Sequence, residues 1–343
     1  MNHAEYMHRC IEIATNGIGK VSPNPMVGAV IVHDAKIIGE GFHQGFGLAH
    51  AEVNAIESVK NKSLLSESTL YVSLEPCNHF GKTPPCTELI VKHRIPKVVI
   101  GSLDSNPLVA GKGIKFLNES GIKVVSGILE KECRELNKRF YQFYENKLPY
   151  IILKWAQSMD GIIGQHQRPN LSISNELSRL LVHKWRSEES SIMVGTTTAL
   201  LDNPTLNVRD VSGKNPLRIV LDKDLKLPSS LHLLDGTIPT LVFTYKKNKS
   251  TKNLEYIQFP KQADELQFVL STLYERKELS VLIEGGTKLL QSFIKQNLWH
   301  EARIFTSNKV LGNGIVAPSL NGNITSTMQL KNDTLVVIKN TNR

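Results

Sequence analysis

LYVSLEPCNHFGKTPPC, residues 70–86, preceded by His50-Ala51-Glu52, is the stretch on which the fold and the chemistry turn. Residues 70–74 are an apolar strand that ends at Glu75-Pro76-Cys77. Pro84-Pro85 then opens a helix running to about residue 93, because proline is tolerated in a first helical turn. Zinc takes nitrogen and sulfur ligands, and a catalytic zinc keeps three protein ligands with a fourth position left for water. His50, Cys77 and Cys86 supply the three. Glu52 remains as an unliganded carboxylate, the proton shuttle that zinc base deaminases require. Taken singly, each thiol reads as an ordinary buried cysteine. Their combination with an imidazole, a carboxylate and two Pro-Cys pairs favours a metal site.

The 343 residues predict about two domains, each able to bury a core. A hydrophobic content of 41% and a charged content of 21% belong to an ordinary globular protein. No apolar run approaches the ~18 residues of a membrane span, and residues 1–15 lack the apolar centre of a secretory signal. A cytoplasmic enzyme with no membrane partner is expected. Four cysteines in so long a chain do not make a disulfide framework. Cys10 and Cys133 fall in helical patterns and are expected to be buried thiols. The net charge of +9 invites a nucleic-acid reading. The basic residues are scattered, however, and the 6% of aromatics do not alternate with them as a stacking platform would. A phosphorylated small substrate and a phosphorylated cofactor account for the charge without nucleic acid.

Hydrophobic patterning divides the chain into two α/β halves that meet at Leu148-Pro149. In the first, helices are predicted at 4–15, 50–60, 112–120 and 130–145, and strands at 27–32, 36–41, 70–74, 98–101 and 123–125. Both loops carrying metal ligands therefore lead into helix N-termini, whose positive dipole ends stabilise thiolates. In the second, strands are predicted at 150–155, 191–194, 218–221, 240–244, 280–283 and 303–306, with helices at 175–187, 264–276 and 287–296.

With these residues in order, the chain resembles the bifunctional riboflavin-biosynthesis deaminase/reductase family. The first half carries the resemblance in Pro23-Asn24-Pro25, Gly41-Phe42-His43, His50-Ala51-Glu52, LEPCNHFGKTPPC at 74–86 and Asp104-Ser105-Asn106-Pro107. The second carries it in Lys154, Ser158-Met159-Asp160-Gly161, GTTTALLDNPTLNVR at 195–209 and Glu284-Gly285-Gly286. The resemblance implies a cytidine-deaminase-like α/β/α domain at 1–147 followed by a dihydrofolate-reductase-like α/β domain at 148–343, and a tendency to form homo-oligomers. It implies zinc-dependent removal of the 2-amino group from a diaminopyrimidinone bearing a phosphoribosylamino arm, then NADPH reduction of that arm to ribityl phosphate. His79 and Lys82 then line the deaminase pocket with Asn24, His43 and Asn106, Lys82 being a suitable phosphate partner. NADPH lies along Gly286, Thr287, Lys288, Leu289, Leu290 and Gln291, with Ala156, Ser172, Thr198 and Asp202. Asn170, Arg186, Leu206, Arg209 and Glu284 face the reductase substrate. Lys154 and Asp160 are expected on the floor of that site.

Several positions depart from the family pattern. Ala49 replaces a common proline, Asn170 a serine, Ser172 a tryptophan and Lys223 a serine, and Ile162 stands where a basic residue usually follows Asp-Gly. Eight residues separate Cys77 from Cys86, where deaminases of nucleosides or RNA have two. A nucleic-acid deaminase mispredicts that gap and leaves everything after Pro149 unexplained. A zinc-stabilised scaffold is opposed by the open coordination position and by Glu52.

Overall fold

Successive residues of the apolar run at 28–32 enter two different cores, which is why the run shows no polar face. It is strand β1 of the first of two units, residues 1–147. The computed structural model describes residues 2–80, 84–165 and 171–342. The first unit runs α1 (His3–Ala14), β1 (Gly28–His33), β2 (Lys36–Phe42), α2 (Ala51–Ser58), β3 (Thr69–Leu74), α3 (Cys86–Lys92), β4 (Lys97–Ser102), α4 (Lys112–Glu119), β5 (Lys123–Val125), α5 (Glu130–Leu136) and α6 (Lys138–Asn146).

Among the described residues its five strands stand in the order β2-β1-β3-β4-β5. The β1–β2 hairpin closes through Asp34 and Ala35, both at positive φ, the conformation a two-residue turn needs to match strand twist. From β3 onward the strands are parallel. Ala29 and Ile31 pack with Leu70, Val72 and Ile100 under Ala55, Ile56, Ile90 and Leu117 of α2, α3 and α4. Val30, Val32, Tyr71 and Val99 pack on the other face under Tyr6, Met7, Cys10 and Cys133 of α1 and α5. Cys10 and Cys133 are free, buried thiols.

A single helix is expected over 130–145, but Asn137 breaks it. Its buried side chain accepts from the Met26 N–H and donates to the Met26 carbonyl, both at 2.8 Å. Those two bonds satisfy a distant backbone segment that helix continuation would leave unpaired.

The second unit, residues 148–343, runs β6 (Tyr150–Gln157), β7 (Ile162–Gly164), α7 (Glu176–Glu188), β8 (Ser191–Gly195), α8 (Thr196–Asp202), β9 (Leu217–Leu221), β10 (Thr240–Thr244), β11 (Leu254–Gln258), α9 (Glu265–Glu275), β12 (Ser280–Glu284), α10 (Thr287–Lys295), β13 (Glu301–Ser307), β14 (Ile315–Val316), β15 (Asn323–Leu330) and β16 (Asp333–Lys339). Among the described residues its main sheet has nine strands in the order β11-β10-β9-β8-β12-β6-β13-β16-β15. All pairings are parallel except those of β16 with β13 and β15. Ile151, Leu153, Ile219, Phe243 and Ile283 pack under α9 and α10, while Ile152, Ile192, Val220 and Leu282 pack under α7 and α8. Strands β7, β11, β14, β15 and β16 and helix α8 are additions to the elements expected from patterning.

Glu278, in the connection from α9 to β12, is partly buried, and burial pushes its carboxyl up to about 7 against a hydrogen bond from Ser190 and the charge of Arg276. The folded chain thus holds this proton more tightly than the unfolded one. The stability it contributes is full below the ordinary value of 4.5 and is lost as pH rises through about 7. Glu278→Gln is therefore expected to be neutral at about pH 4 and stabilising by about 1–2 kcal/mol at about pH 8. Denaturant unfolding at the two pH values measures this.

Candidate active site

In the first unit His50 is the N-cap of α2, Cys86 is the first residue of α3, and Cys77 follows β3. The fold thereby brings two helix N-termini and one strand end to a single point. His50 Nδ1 lies 3.3 Å from Cys86 Sγ and 3.5 Å from Cys77 Sγ, and the three ligand atoms fall within 4.8 Å of one another. Tetrahedral zinc with ordinary Zn–N and Zn–S bonds sets N and S about 3.5 Å apart, so the donor set fits that ion in both chemistry and spacing. A hydrogen bond from the Cys86 thiol, outweighing burial and aided by His50 and the Cys86 N–H, draws the Cys77 thiol down to about 4. Sharing that proton pushes Cys86 well above the usual thiol range. The hydrogen bond to Cys77 carries His50 up to about 9.

Glu52 sits in the first turn of α2, only 3% exposed, and burial raises its carboxyl to about 7. It borders a cavity of about 260 Å³ together with His50, Cys77, Asn24, His43, His79 and Asn106. His43 is buried and its ring nitrogens are both committed. The Ala49 carbonyl, 3.1 Å from Nδ1, requires the proton there, so Nε2 accepts from the Asn24 amide at 3.1 Å. Burial lowers the His43 pKa, which keeps that tautomer neutral. His79 Nδ1 is buried without a hydrogen-bond partner among the described residues. Lys82 lies outside the described residues.

The cavity is also walled by Asp104, Phe140 and Tyr144, none of which sequence reasoning singled out. Burial pushes the Asp104 carboxyl up to about 7. Asp104 had a signal, since it opens the Asp104-Ser105-Asn106-Pro107 motif. The two aromatics had none, because α6 reads only as a charged helix.

In the second unit Glu284 ends β12 and is fully enclosed. Arg186 of α7 grips both its oxygens, Nε and Nη2 each at 2.8 Å, and Lys154 of β6 adds a contact at 3.1 Å. Burial would raise this carboxyl, but the attraction of Arg186 and Lys154 outweighs it and holds the group well below the carboxylate range. The remaining Arg186 nitrogen donates to the Asn207 carbonyl at 3.2 Å, which fastens the segment after α8. Leu206 of that segment is buried at positive φ, whereas Arg209 is exposed. Asp160 accepts from the N–H groups of Leu311 and Gly312 and from Ser158, and so organises a turn.

A second cavity, of about 290 Å³, is lined by Thr198, Lys223, Gly286, Lys288 and Leu289, among others. Gly285 and Gly286 have φ values of 120° and 58°, and a Cβ on either would come within 3.0 Å of the Thr198 side chain. The glycine pair leaves an open cradle ahead of α10, the place where backbone N–H groups meet a phosphate. A dinucleotide cofactor fits that cradle. Of the other residues expected near it, Leu290 is turned into the core and Thr287 bonds the Val316 carbonyl. Ala156, Ser172, Asp202 and Gln291 do not line this cavity, and Asn170 lies outside the described residues.

Residues 1–102 match the family model of the cytidine and deoxycytidylate deaminase zinc-binding region, and residues 149–341 match that of the RibD C-terminal domain. The riboflavin biosynthesis protein RibD of Aquifex aeolicus is 39% identical over 315 residues, covering 90% of this chain and 88% of that protein. Its counterpart in Bacillus amyloliquefaciens is 42% identical over 325 residues, covering 92% and 86%. The chain belongs to the RibD family. A Thermotoga maritima structure described as a diaminohydroxyphosphoribosylaminopyrimidine deaminase/5-amino-6-(5-phosphoribosylamino)uracil reductase superposes with a TM-score of 0.90 at 36% identity, covering 98% of each chain. RibD from Acinetobacter baumannii superposes with a TM-score of 0.89 at 31% identity, with the same coverage. The chain is a bifunctional deaminase and reductase of riboflavin biosynthesis that uses zinc and NADPH. Its fold is a cytidine-deaminase-like unit joined to a dihydrofolate-reductase-like unit. Among the described residues no helix is long and apolar enough to cross a membrane.

Proposed function

We propose that the first unit deaminates 2,5-diamino-6-(5-phosphoribosylamino)pyrimidin-4(3H)-one and that the second reduces the product to 5-amino-6-(5-phosphoribitylamino)uracil. The observation that carries this is the His50–Cys77–Cys86 cluster with buried Glu52 at the cavity wall. Zinc held by those three residues would supply an acidified water at neutral pH. Glu52 takes a proton from that water as its oxygen bonds to the amino-bearing ring carbon, and passes it to the ring nitrogen. It then takes the proton of the new hydroxyl group and passes it to the amino group as the ring carbonyl forms, the C–N bond breaks and ammonia leaves. Neutral His43, held by Ala49 and Asn24, presents a fixed edge to the pyrimidine, and Asn106, His79 and Lys82 complete the pocket.

In the second unit NADPH supplies a hydride, and the side chains bind and orient. The Gly285-Gly286 cradle, Thr198 and Lys288 hold the cofactor phosphates. Exposed Arg209 takes the substrate phosphate, while Arg186, with its nitrogens committed to Glu284 and Asn207, fixes the wall beside it. A small-molecule substrate, a cytoplasmic location and a homo-oligomer complete the proposal.

Chelation tests it. Metal-free protein is expected to lose ammonia release by about 10³-fold or more and to keep NADPH oxidation on the deaminated intermediate. Ammonia release that persists without metal overturns the reading.

A further inference from the structure

Glu75, two residues before Cys77, is 4% exposed and borders the same cavity, yet it has no part in the chemistry described above. Its carboxylate nevertheless collects four backbone N–H groups from a remote stretch of chain. Oε1 accepts from Gly113 at 3.0 Å and Ile114 at 3.3 Å, both in the first turn of α4. Oε2 accepts from Gly111 at 3.0 Å and Asp104 at 3.3 Å. Gly111, the N-cap of α4, has no side chain to cap the helix, so Glu75 does this from the end of β3. Contact is close. A Cβ at Gly113 would lie 2.1 Å from the Pro76 carbonyl, which sets α4 directly against the backbone that leads to Cys77.

The segment fastened in this way carries part of the cavity wall, Asp104 and Asn106. Asp104 accepts from the Asn106 N–H at 2.6 Å, and Asn106 Oδ1 accepts from the Leu108 N–H at 3.1 Å. With its carbonyl occupied, Asn106 is left with its amide N–H groups to offer to the cavity. One carboxylate therefore ties the strand end bearing a zinc ligand to the loop bearing the pyrimidine-facing groups.

We propose that Glu75 is a positioning residue for deamination, holding Asp104 and Asn106 at a set distance from the His50–Cys77–Cys86 cluster. The inference rests on the first cavity being the deaminase site.

Glu75→Gln separates this from a role in the fold. A carboxamide has a single acceptor oxygen. If it stays on α4, the NH₂ confronts the N–H groups of Asp104 and Gly111 and the loop is released. If it flips, α4 loses its cap instead. The KM for the diaminopyrimidinone is expected to rise about ten- to a hundredfold, with kcat within about threefold. Zinc should remain at one per chain and NADPH-dependent reduction should be unchanged. Because Glu75 acts through the loop, Glu75→Gln and Asn106→Ala should be non-additive in KM. An unchanged KM, strictly additive effects, or loss of zinc from the Gln variant would each overturn the proposal, the last by marking Glu75 as a residue of the fold. Absence of ammonia release from the unsubstituted protein would strike the functional reading, and this inference with it.

Discussion

Glu52→Gln is expected to lower kcat for ammonia release by about 10²- to 10⁴-fold while the protein keeps its zinc. The carboxyl is in the first turn of α2, nearly sealed from solvent, and is not one of the three clustered ligand atoms. Its burial raises it to about 7. Glutamine preserves the shape and one acceptor oxygen but cannot carry a proton. The variant therefore isolates proton transfer from packing. Metal content, ammonia release and reduction of the deaminated intermediate should be read on the same sample. The last serves as an internal control, because the reductase residues belong to the other unit. Activity above about a tenth of the parent would remove Glu52 from proton transfer. Loss of zinc would make it a support for the ligands instead.

What the sequence made legible and what it hid divide along a physical line. The metal cluster was readable because its residue types are rare in combination and because short motifs place them at element ends. The central strands were readable because strands buried on both faces are continuous apolar runs, as residues 28–32 are even though β1 pairs antiparallel with both neighbours. The hairpin of β15 and β16 was not found. Five of the eight residues of β15 are polar, and its apolar Ile324 and Met328 are exposed on the sheet edge, so burial imposes little pattern on them. The break at Asn137 was hidden because its cause is Met26, far away in sequence. Arg218 shows the same limit. It stands inside a strand-like run, fully buried, with hydrogen bonds to the carbonyls of Thr205, His232 and Ile238 and to Thr240. Nothing local marks it as a hub. Asp104, Phe140 and Tyr144 reach the deaminase cavity only through tertiary packing, and no periodicity reports that.

Glu284→Gln is expected to cost the reductase unit about 3–5 kcal/mol and to abolish NADPH-dependent reduction, with ammonia release intact. The carboxylate is buried against two cations that come from β6 and α7, 130 and 98 residues away in sequence. Removing its charge leaves Lys154 and Arg186 facing each other across a site closed to water, and an uncompensated buried charge costs more than the pair ever contributed. It also frees Arg186, whose other contact is the Asn207 carbonyl, so the segment carrying Leu206 and Arg209 loses its anchor. The pH dependence has a definite sign. The folded-state pKa of Glu284 is depressed, so its stabilisation is full above the unfolded value of 4.5 and is lost as pH falls through the folded one. The gap between parent and variant should therefore be constant at neutral pH and narrow only below about 4.5. Denaturant melts at about pH 7 and about pH 3.5, with reduction and ammonia release assayed separately, measure each part. A variant as stable as the parent at neutral pH would mean that Lys154 and Arg186 find other counterions, and the ionic cluster would then not be what holds this wall.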